Sequence, residues 1–178
     1  MIRADLLDDN IEIVPAKLPE IIAKIHTGES RNGKGVIFRG TPGTGKTYRM
    51  KWIARMLNMN IVSAEKITEQ FSAADEQDRD EIILCDPVRW SHVSEHFHDL
   101  IIDDLGAEPE SITTFGTKRN VMADILLRRY EQFPRWKTHL TTNLTDEQIK
   151  NRYGERIFSR LNEMCVFIEL NGADRRLN

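Results

Sequence analysis

The chain has 178 residues, 40% of them hydrophobic and 30% charged, which suits a soluble protein with a single core. No apolar run approaches the roughly 20 residues that cross a bilayer, and two cysteines cannot build a disulfide framework or a cysteine-rich zinc site. We therefore expect a cytoplasmic protein with no membrane partner, and the net charge of −3 argues against a protein that mainly coats nucleic acid.

Short apolar runs alternate with helical periodicity along most of the chain. We predict strands at Val36–Phe38, Ile61–Val62, Leu100–Ile102, Thr138–Thr142 and Val166–Ile168. We predict helices at Leu18–Ile25, Lys46–Leu57, Glu65–Ala73, Val88–Phe97, Lys118–Phe133, Thr145–Asn151 and Gly154–Leu161. The rest of 74–98 stays open, because proline and clustered charge obscure its pattern. Strands that alternate with helices predict an α/β fold with a parallel sheet covered on both faces.

Charge is distributed unevenly along the sequence. Between Glu65 and Glu110 there are 14 acidic residues and 3 basic ones. The next segment is basic, and its cations are Lys118, Arg119, Arg128, Arg129, Arg135 and Lys137. This asymmetry predicts one surface that faces an anion and another that avoids it. Two solvated helix faces would give the same pattern, and both interpretations stay open.

A glycine-rich segment carries the strongest functional signal. Gly40-Thr41-Pro42-Gly43-Thr44-Gly45-Lys46-Thr47 matches the pattern G-x-x-x-x-G-K-[ST] at every fixed position. Its glycines let successive N–H groups point at phosphate oxygens, and the positive end of the next helix faces the same anion. In such a loop Lys46 binds the β- and γ-phosphates, and the Thr47 hydroxyl ligates Mg²⁺. The segment therefore predicts a site for ATP and Mg²⁺.

A pair of carboxylates follows the predicted strand Leu100–Ile102 directly, at Asp103 and Asp104. A parallel strand brings such residues to the carboxyl edge of the sheet, beside the phosphates. We expect Asp103 to ligate Mg²⁺ through water and Asp104 to polarise the attacking water. The pair would alternatively cap the next turn, but a P-loop in the same chain favours the catalytic interpretation.

Four segments together resemble one branch of the AAA+ ATPases, the DnaC/DnaI/IstB family. They are Asp103-Asp104-Leu105-Gly106-Ala107-Glu108, Thr141-Thr142-Asn143-Leu144, Tyr153-Gly154-Glu155-Arg156-Ile157-Phe158-Ser159-Arg160-Leu161 and Gly172-Ala173-Asp174-Arg175-Arg176. Each of the later patterns is weak alone, but their order along roughly residues 35–178 makes the combination specific.

The resemblance implies roles for further residues. Asn143 would be sensor 1, which orients the lytic water near the γ-phosphate, and Arg176 would belong to sensor 2. Arg160 matches the family's arginine finger, which stabilises charge on the phosphoryl group bound by a neighbouring subunit. Arg156 lies four residues earlier on the same predicted helix face and is the alternative finger. Either arginine would alternatively be structural and pair with Glu155 or Glu163.

The resemblance also implies an organisation and partners. Residues 1–34 would form a short N-terminal segment, and residues 35–178 an AAA+ domain whose helical lid is largely absent. We expect a self-associating ATPase that helps to load or remodel a DnaB-type replicative helicase on single-stranded DNA. An IstB-like transposition helper would share these motifs. A small P-loop kinase is a further alternative, which sensor 1 and the finger disfavour.

Overall fold

The computed structural model describes residues 34–57, 59–84, 99–114 and 116–171. The strands in this part are β1 (Gly35–Arg39), β2 (Asn60–Ser63), β3 (Leu100–Leu105), β4 (Ile112–Thr114), β5 (Thr117–Arg119), β6 (Thr138–Thr142) and β7 (Cys165–Glu169). The helices are α1 (Lys46–Leu57), α2 (Ala64–Ala73), α3 (Glu76–Leu84), α4 (Val121–Glu131), α5 (Asp146–Tyr153) and α6 (Glu155–Met164). None of these helices combines the length and the apolar character needed to cross a membrane.

Five strands form one parallel sheet in the order β2-β3-β6-β1-β7. Successive side chains of β1 enter different cores: Val36 and Phe38 pack on one face, whereas Ile37 packs on the other. Helices therefore have to cover both faces, as the nearly continuous apolar sequences of β1 and β3 require. The predicted α/β fold, a parallel sheet flanked by helices, is confirmed.

One segment differs from the sequence-based expectation, and one stretch that the pattern left open contains a helix. The predicted helix Lys118–Phe133 is wrong at its start, because the Asn120 side chain accepts the Ala123 N–H at 2.9 Å and begins α4 there. The residues before this cap form the antiparallel hairpin β4–β5, whose turn at Gly116 has a φ of +80°. In the stretch 74–98 that the pattern left open, helix α3 forms.

Some expectations concern residues outside the described part of the chain. The predicted helices Leu18–Ile25 and Val88–Phe97 lie there, and so does Arg176 with the rest of the sensor 2 segment. The same holds for almost all of the N-terminal segment 1–34. These assignments stay predictions.

Arg129 is fully buried between α4 and β6. It donates from Nε to Thr138 Oγ1 and from Nη2 to the Lys137 carbonyl oxygen, both at 2.7 Å. Its guanidinium also lies 5.5 Å from the centre of the Trp136 ring. Arg129 follows the buried Leu126 by three residues, so helical periodicity places it on the apolar face of α4. The expectation that Arg129 belongs to an anion-facing surface is therefore wrong.

We expect Arg129→Ala to lower the free energy of unfolding by about 3 kcal/mol, because it leaves a cavity and two acceptors without their donor. For a chain of this size the melting temperature would fall by about 6–12 °C. The neighbouring Arg128 is exposed and pairs with Glu131 at 2.9 Å on the surface. Arg128→Ala should therefore change the stability by less than about 0.5 kcal/mol. Urea unfolding followed by circular dichroism compares the two, and equal effects would contradict the structural role of Arg129.

Candidate nucleotide-binding site

The candidate site forms at the carboxyl ends of β1, β3 and β6. The P-loop (residues 40–47) connects β1 to α1, whereas Asp103 and Asp104 lie on β3. Because β6 lies between β1 and β3 in the sheet, Asn143 emerges from β6 between the P-loop and the carboxylate pair. The topology thus gathers segments distant in sequence at one edge of the sheet, where ligands bind in open α/β folds.

Two glycines allow the P-loop its close approach to neighbouring elements. A Cβ at Gly40 would lie 2.2 Å from the carbonyl oxygen of Leu170, which follows β7. Gly45 has a φ of +81°, and its Cβ would lie 2.9 Å from Nη1 of Arg49 on α1. A side chain at either position would therefore move or strain the loop.

Lys46 is buried inside the curl of the P-loop, with 5% of its surface exposed. Its Nζ donates to the carbonyl oxygens of Gly40 and Thr41 at 2.8 and 2.7 Å. The ammonium group lies at the first turn of α1, where the positive end of the helix dipole also favours an anion. Arg49 braces the loop from the same helix, since its Nη1 donates to the Thr44 carbonyl oxygen at 2.7 Å.

Asp103 is held by two threonines from different elements. The hydroxyl of Thr47 at the start of α1 donates to Asp103 Oδ1 at 3.1 Å, and the hydroxyl of Thr141 on β6 donates to the same oxygen at 2.5 Å. Thr141 Oγ1 also accepts the N–H of Asp104 at 2.8 Å. No local sequence pattern indicates this bridging role of Thr141. The signal that could have indicated it is a threonine in a buried strand that neighbours the strand with the two aspartates.

Asp104 has an unusual backbone conformation. Its φ is +55°, in the left-handed region that aspartate tolerates better than most residues. The register of β3 on β6 shifts between Ile102 and Leu105, so the two carboxylates lie on a β-bulge. Bulges are common beside active sites because they redirect side chains at a strand end. The bulge and the bond to Thr141 together fix the backbone that carries Asp104.

A cleft of about 450 Å³ opens beside the P-loop. Asn143 is exposed and lines it together with Thr41, Arg39, Asp146 and Glu169. Arg39 donates from Nε to Glu169 at 2.8 Å and from Nη1 to Asp146. Burial lowers the pKa of Arg39, but these hydrogen bonds outweigh it and raise the pKa above its ordinary value. Because Asn143 is exposed in this cleft, water can reach its side chain next to the P-loop.

The two finger candidates lie on α6. The guanidinium of Arg160 stacks 4.5 Å from the centre of the Tyr130 ring on α4, whereas Arg156 is exposed one turn nearer the start of α6. The Tyr130 hydroxyl donates to Glu163 at 2.7 Å, and this bond raises the pKa of Tyr130. Within the described residues, neither arginine forms a hydrogen bond or an ion pair with the P-loop, with Asp103 or with Asp104 of the same chain.

The site residues fit Mg²⁺ and a phosphate ligand. Thr47 and Asp103 bring together a hydroxyl and a carboxylate oxygen, which are hard ligands of the kind Mg²⁺ prefers. Within the described ranges, no group of three or more His, Cys, Asp or Glu side chains could hold a metal ion. The arrangement therefore suits a largely hydrated Mg²⁺ that also binds phosphate oxygens, and not a metal enclosed by protein ligands.

The first strand of the parallel sheet leads through this loop to a helix, and a carboxylate contacts the loop threonine. Together these features define the P-loop NTPase fold. No protein-family model and no curated protein matches the chain. Among solved structures, the chain is similar to the crystal structure of the DnaC helicase loader, with 20% identity, a TM-score of 0.61, and coverage of 94% of this chain and 95% of that chain. The chain therefore has a DnaC-like fold.

Two structures of the Drosophila ORC also match. The complex with AT-rich DNA and Cdc6 is 12% identical with a TM-score of 0.49, covering 88% of this chain and 53% of that chain. The complex with DNA is 11% identical with a TM-score of 0.48, covering 87% of each chain.

Proposed function

We propose that the protein is an Mg²⁺-dependent ATPase that helps to load or remodel a DnaB-type replicative helicase on single-stranded DNA. The observation that carries this proposal is the 3.1 Å contact of Thr47 Oγ1 with Asp103 Oδ1, beside the buried Lys46. A glycine-rich turn with a purely structural role needs neither a buried lysine nor a carboxylate facing its threonine. Both features suit the binding of a nucleoside triphosphate with Mg²⁺.

ATP is the proposed substrate. Its phosphates would bind the N–H groups of the P-loop and Lys46, while Thr47 and Asp103 would hold Mg²⁺. The metal would neutralise charge on the phosphates. Asp104 would polarise the attacking water, and Asn143 would orient it from the neighbouring strand end.

The helicase role rests on the DnaC-like fold, because the solved structure with a TM-score of 0.61 is that of a helicase loader. Co-sedimentation with the replicative helicase of the host, with and without ATP, is the direct test. We expect a complex that ATP strengthens. No complex in either condition, together with binding to a transposase, would reassign the protein as an IstB-like transposition helper. Phosphoryl transfer to a small acceptor in place of water would indicate a kinase.

Single-stranded DNA is the third element of the proposal. Lys118, Arg119 and Arg128 are exposed, and the two arginines pair with Asp124 and Glu131 on the surface. Surface ion pairs contribute only about 0–1 kcal/mol, so these arginines can exchange a carboxylate for a phosphate at little cost. A few phosphate contacts per subunit predict weak, salt-dependent binding, which self-association along the strand would strengthen.

We expect the double change Arg119→Glu and Arg128→Glu to weaken binding to labelled oligo-dT about tenfold or more at low salt. ATP binding should not change, because neither side chain contacts the described P-loop. The control combines Arg55→Glu and Lys66→Glu, which reverse two exposed cations on α1 and α2. Fluorescence anisotropy measures both variants. Equal losses would mean that net charge, and not the surface beside α4, determines the affinity.

We expect Arg160→Ala to bind ATP normally and to hydrolyse it about a thousandfold more slowly, as loss of an arginine finger does. Mixing it with Lys46→Ala should restore part of the activity, because a mixed interface joins an intact P-loop to an intact finger. Arg156→Ala tests the alternative finger in the same assay of phosphate release. A rate per subunit that does not depend on protein concentration, with no rescue on mixing, would indicate a self-contained site.

A further inference from the structure

Glu108 is a buried carboxylate that the proposed nucleotide chemistry leaves unused. Its side chain is 1% exposed, and its Oε2 accepts the N–H of Gly106 at 2.8 Å. Its Oε1 accepts the hydroxyl of Tyr153 and, at 3.3 Å, Nε–H of Arg152. Arg152 also donates from Nη2 to the carbonyl oxygen of Glu108. We name these three residues, Glu108, Arg152 and Tyr153, the Glu108 clamp. The clamp fastens the loop after β3 to the end of α5.

One end of the clamp lies next to the candidate catalytic residues. Gly106 follows Asp104 by two residues, and its φ is +102°. A Cβ at Gly106 would lie 2.6 Å from Cδ1 of Leu144, so this side chain packs directly on the loop backbone. Leu144 is the neighbour of Asn143. The clamp therefore braces the segments that carry Asp104 and Asn143.

The other end of the clamp is the junction between α5 and α6. Tyr153 ends α5, and Gly154 turns the chain with a φ of +90° before α6 begins. Burial and the nearby Glu108 carboxylate raise the pKa of Tyr153, which keeps its hydroxyl a hydrogen-bond donor. The carbonyl oxygen of Arg152 also accepts Nδ2–H of Asn120 at 3.0 Å, which ties the junction to the cap of α4.

We propose that the Glu108 clamp couples the loop carrying Asp103 and Asp104 to the α5–α6 junction, which makes Glu108 a positioning residue for hydrolysis. This inference rests on the proposed ATPase function. Because α6 carries Arg156 and Arg160, contact of α6 with a neighbouring subunit is transmitted through the clamp to Asp104 of the same chain. Glu108 acts through the loop backbone and not on the nucleotide.

The test uses Tyr153→Phe, which keeps the buried ring and removes both hydrogen bonds of the hydroxyl, the one to Glu108 and the one that it accepts from Arg152 Nε at 3.2 Å. We expect amide hydrogen exchange in the peptide 103–108 to rise about tenfold, although the substitution lies on another element. The value of kcat should fall about tenfold while the Kd for ATP stays within twofold. Tyr130→Phe is the matched control, because it removes a tyrosine–glutamate bond of 2.7 Å at the surface and should leave that exchange unchanged.

Unchanged exchange in the 103–108 peptide of Tyr153→Phe would overturn the coupling, whether or not the protein hydrolyses ATP. A parallel loss of ATP binding and of kcat would reveal a general loss of structure and would also overturn it. If Tyr153→Phe does not fold, Arg152→Lys keeps the charge and loses the bond to the Glu108 carbonyl, and the same exchange is measured. If the wild-type protein does not hydrolyse ATP, the proposed ATPase function is wrong. The coupling is still tested, because hydrogen exchange in the peptide 103–108 can be compared between the wild type and Tyr153→Phe.

Discussion

Lys46→Ala should weaken ATP binding about a hundredfold or more and leave no measurable hydrolysis. The ammonium group is buried within the P-loop, where the carbonyl oxygens of Gly40 and Thr41 hold it. Its removal deletes the positive charge closest to the expected phosphates. Isothermal calorimetry with a slowly hydrolysed ATP analogue measures the affinity, and phosphate release measures turnover.

Lys51→Ala is the control for this experiment, because Lys51 is an exposed lysine on the same helix. It makes the same change in net charge, and we expect the ATP affinity and turnover of the wild type. If both variants lost affinity equally, overall charge would explain the effect. A wild-type protein that binds no nucleotide in the calorimeter would refute the proposed function itself.

Asp104→Asn should bind ATP normally and hydrolyse it about a thousandfold more slowly, since it removes the group proposed to polarise the water. Asparagine is the suitable replacement because it also tolerates the φ of +55° at this position. The β-bulge and the Thr141 bond to the backbone N–H should therefore persist. Single-turnover measurement of phosphate release reports the chemical step directly.

Asp103→Asn distinguishes the two carboxylates in the same assay. It replaces the carboxylate that contacts Thr47 with an uncharged amide, which is a weaker ligand for Mg²⁺. We therefore expect that a higher Mg²⁺ concentration is needed to reach half of the maximal rate. Asp104→Asn should leave that concentration unchanged. A rate within tenfold of the wild type for Asp104→Asn would exclude Asp104 as the group that activates water.

Features that depend on short sequence windows could be predicted well. The bounds predicted for α1 and for β6 are those observed, because helical periodicity and a continuous β-prone run need no tertiary information. The P-loop could be recognised for a similar reason, since its glycines, lysine and threonine act within eight consecutive residues. The position of Asp103 beside the P-loop also followed from topology, because parallel strands bring their carboxyl ends to one edge.

Features that depend on distant contacts could not be predicted. Thr141 meets Asp103 across 38 residues, and Arg152 meets Glu108 across 44 residues, so no local pattern indicates either pair. The sequence pattern predicts a surface position for Arg129, because a charged residue normally indicates a solvated surface. Its hydrogen bonds to β6 and to the residue before β6 allow full burial, and these contacts are not visible in a local pattern. The roles proposed for Asn143 and Arg160 depend on bound water and on a neighbouring subunit, and they stay predictions.

The order of strands in the sheet has a consequence for how the protein is made. β1 carries the P-loop, but its only neighbours in the described sheet are β6 and β7, with side-chain contacts that span 103 and 130 residues. At about 10 residues per second, a ribosome needs on the order of ten seconds to add that length of chain. Until then the apolar strand before the P-loop lacks both of its neighbours in the described sheet, and long-range pairing of this kind is slow. The strand that leads into the P-loop therefore completes its pairing late, so the proposed nucleotide site forms only after most of the chain has been made.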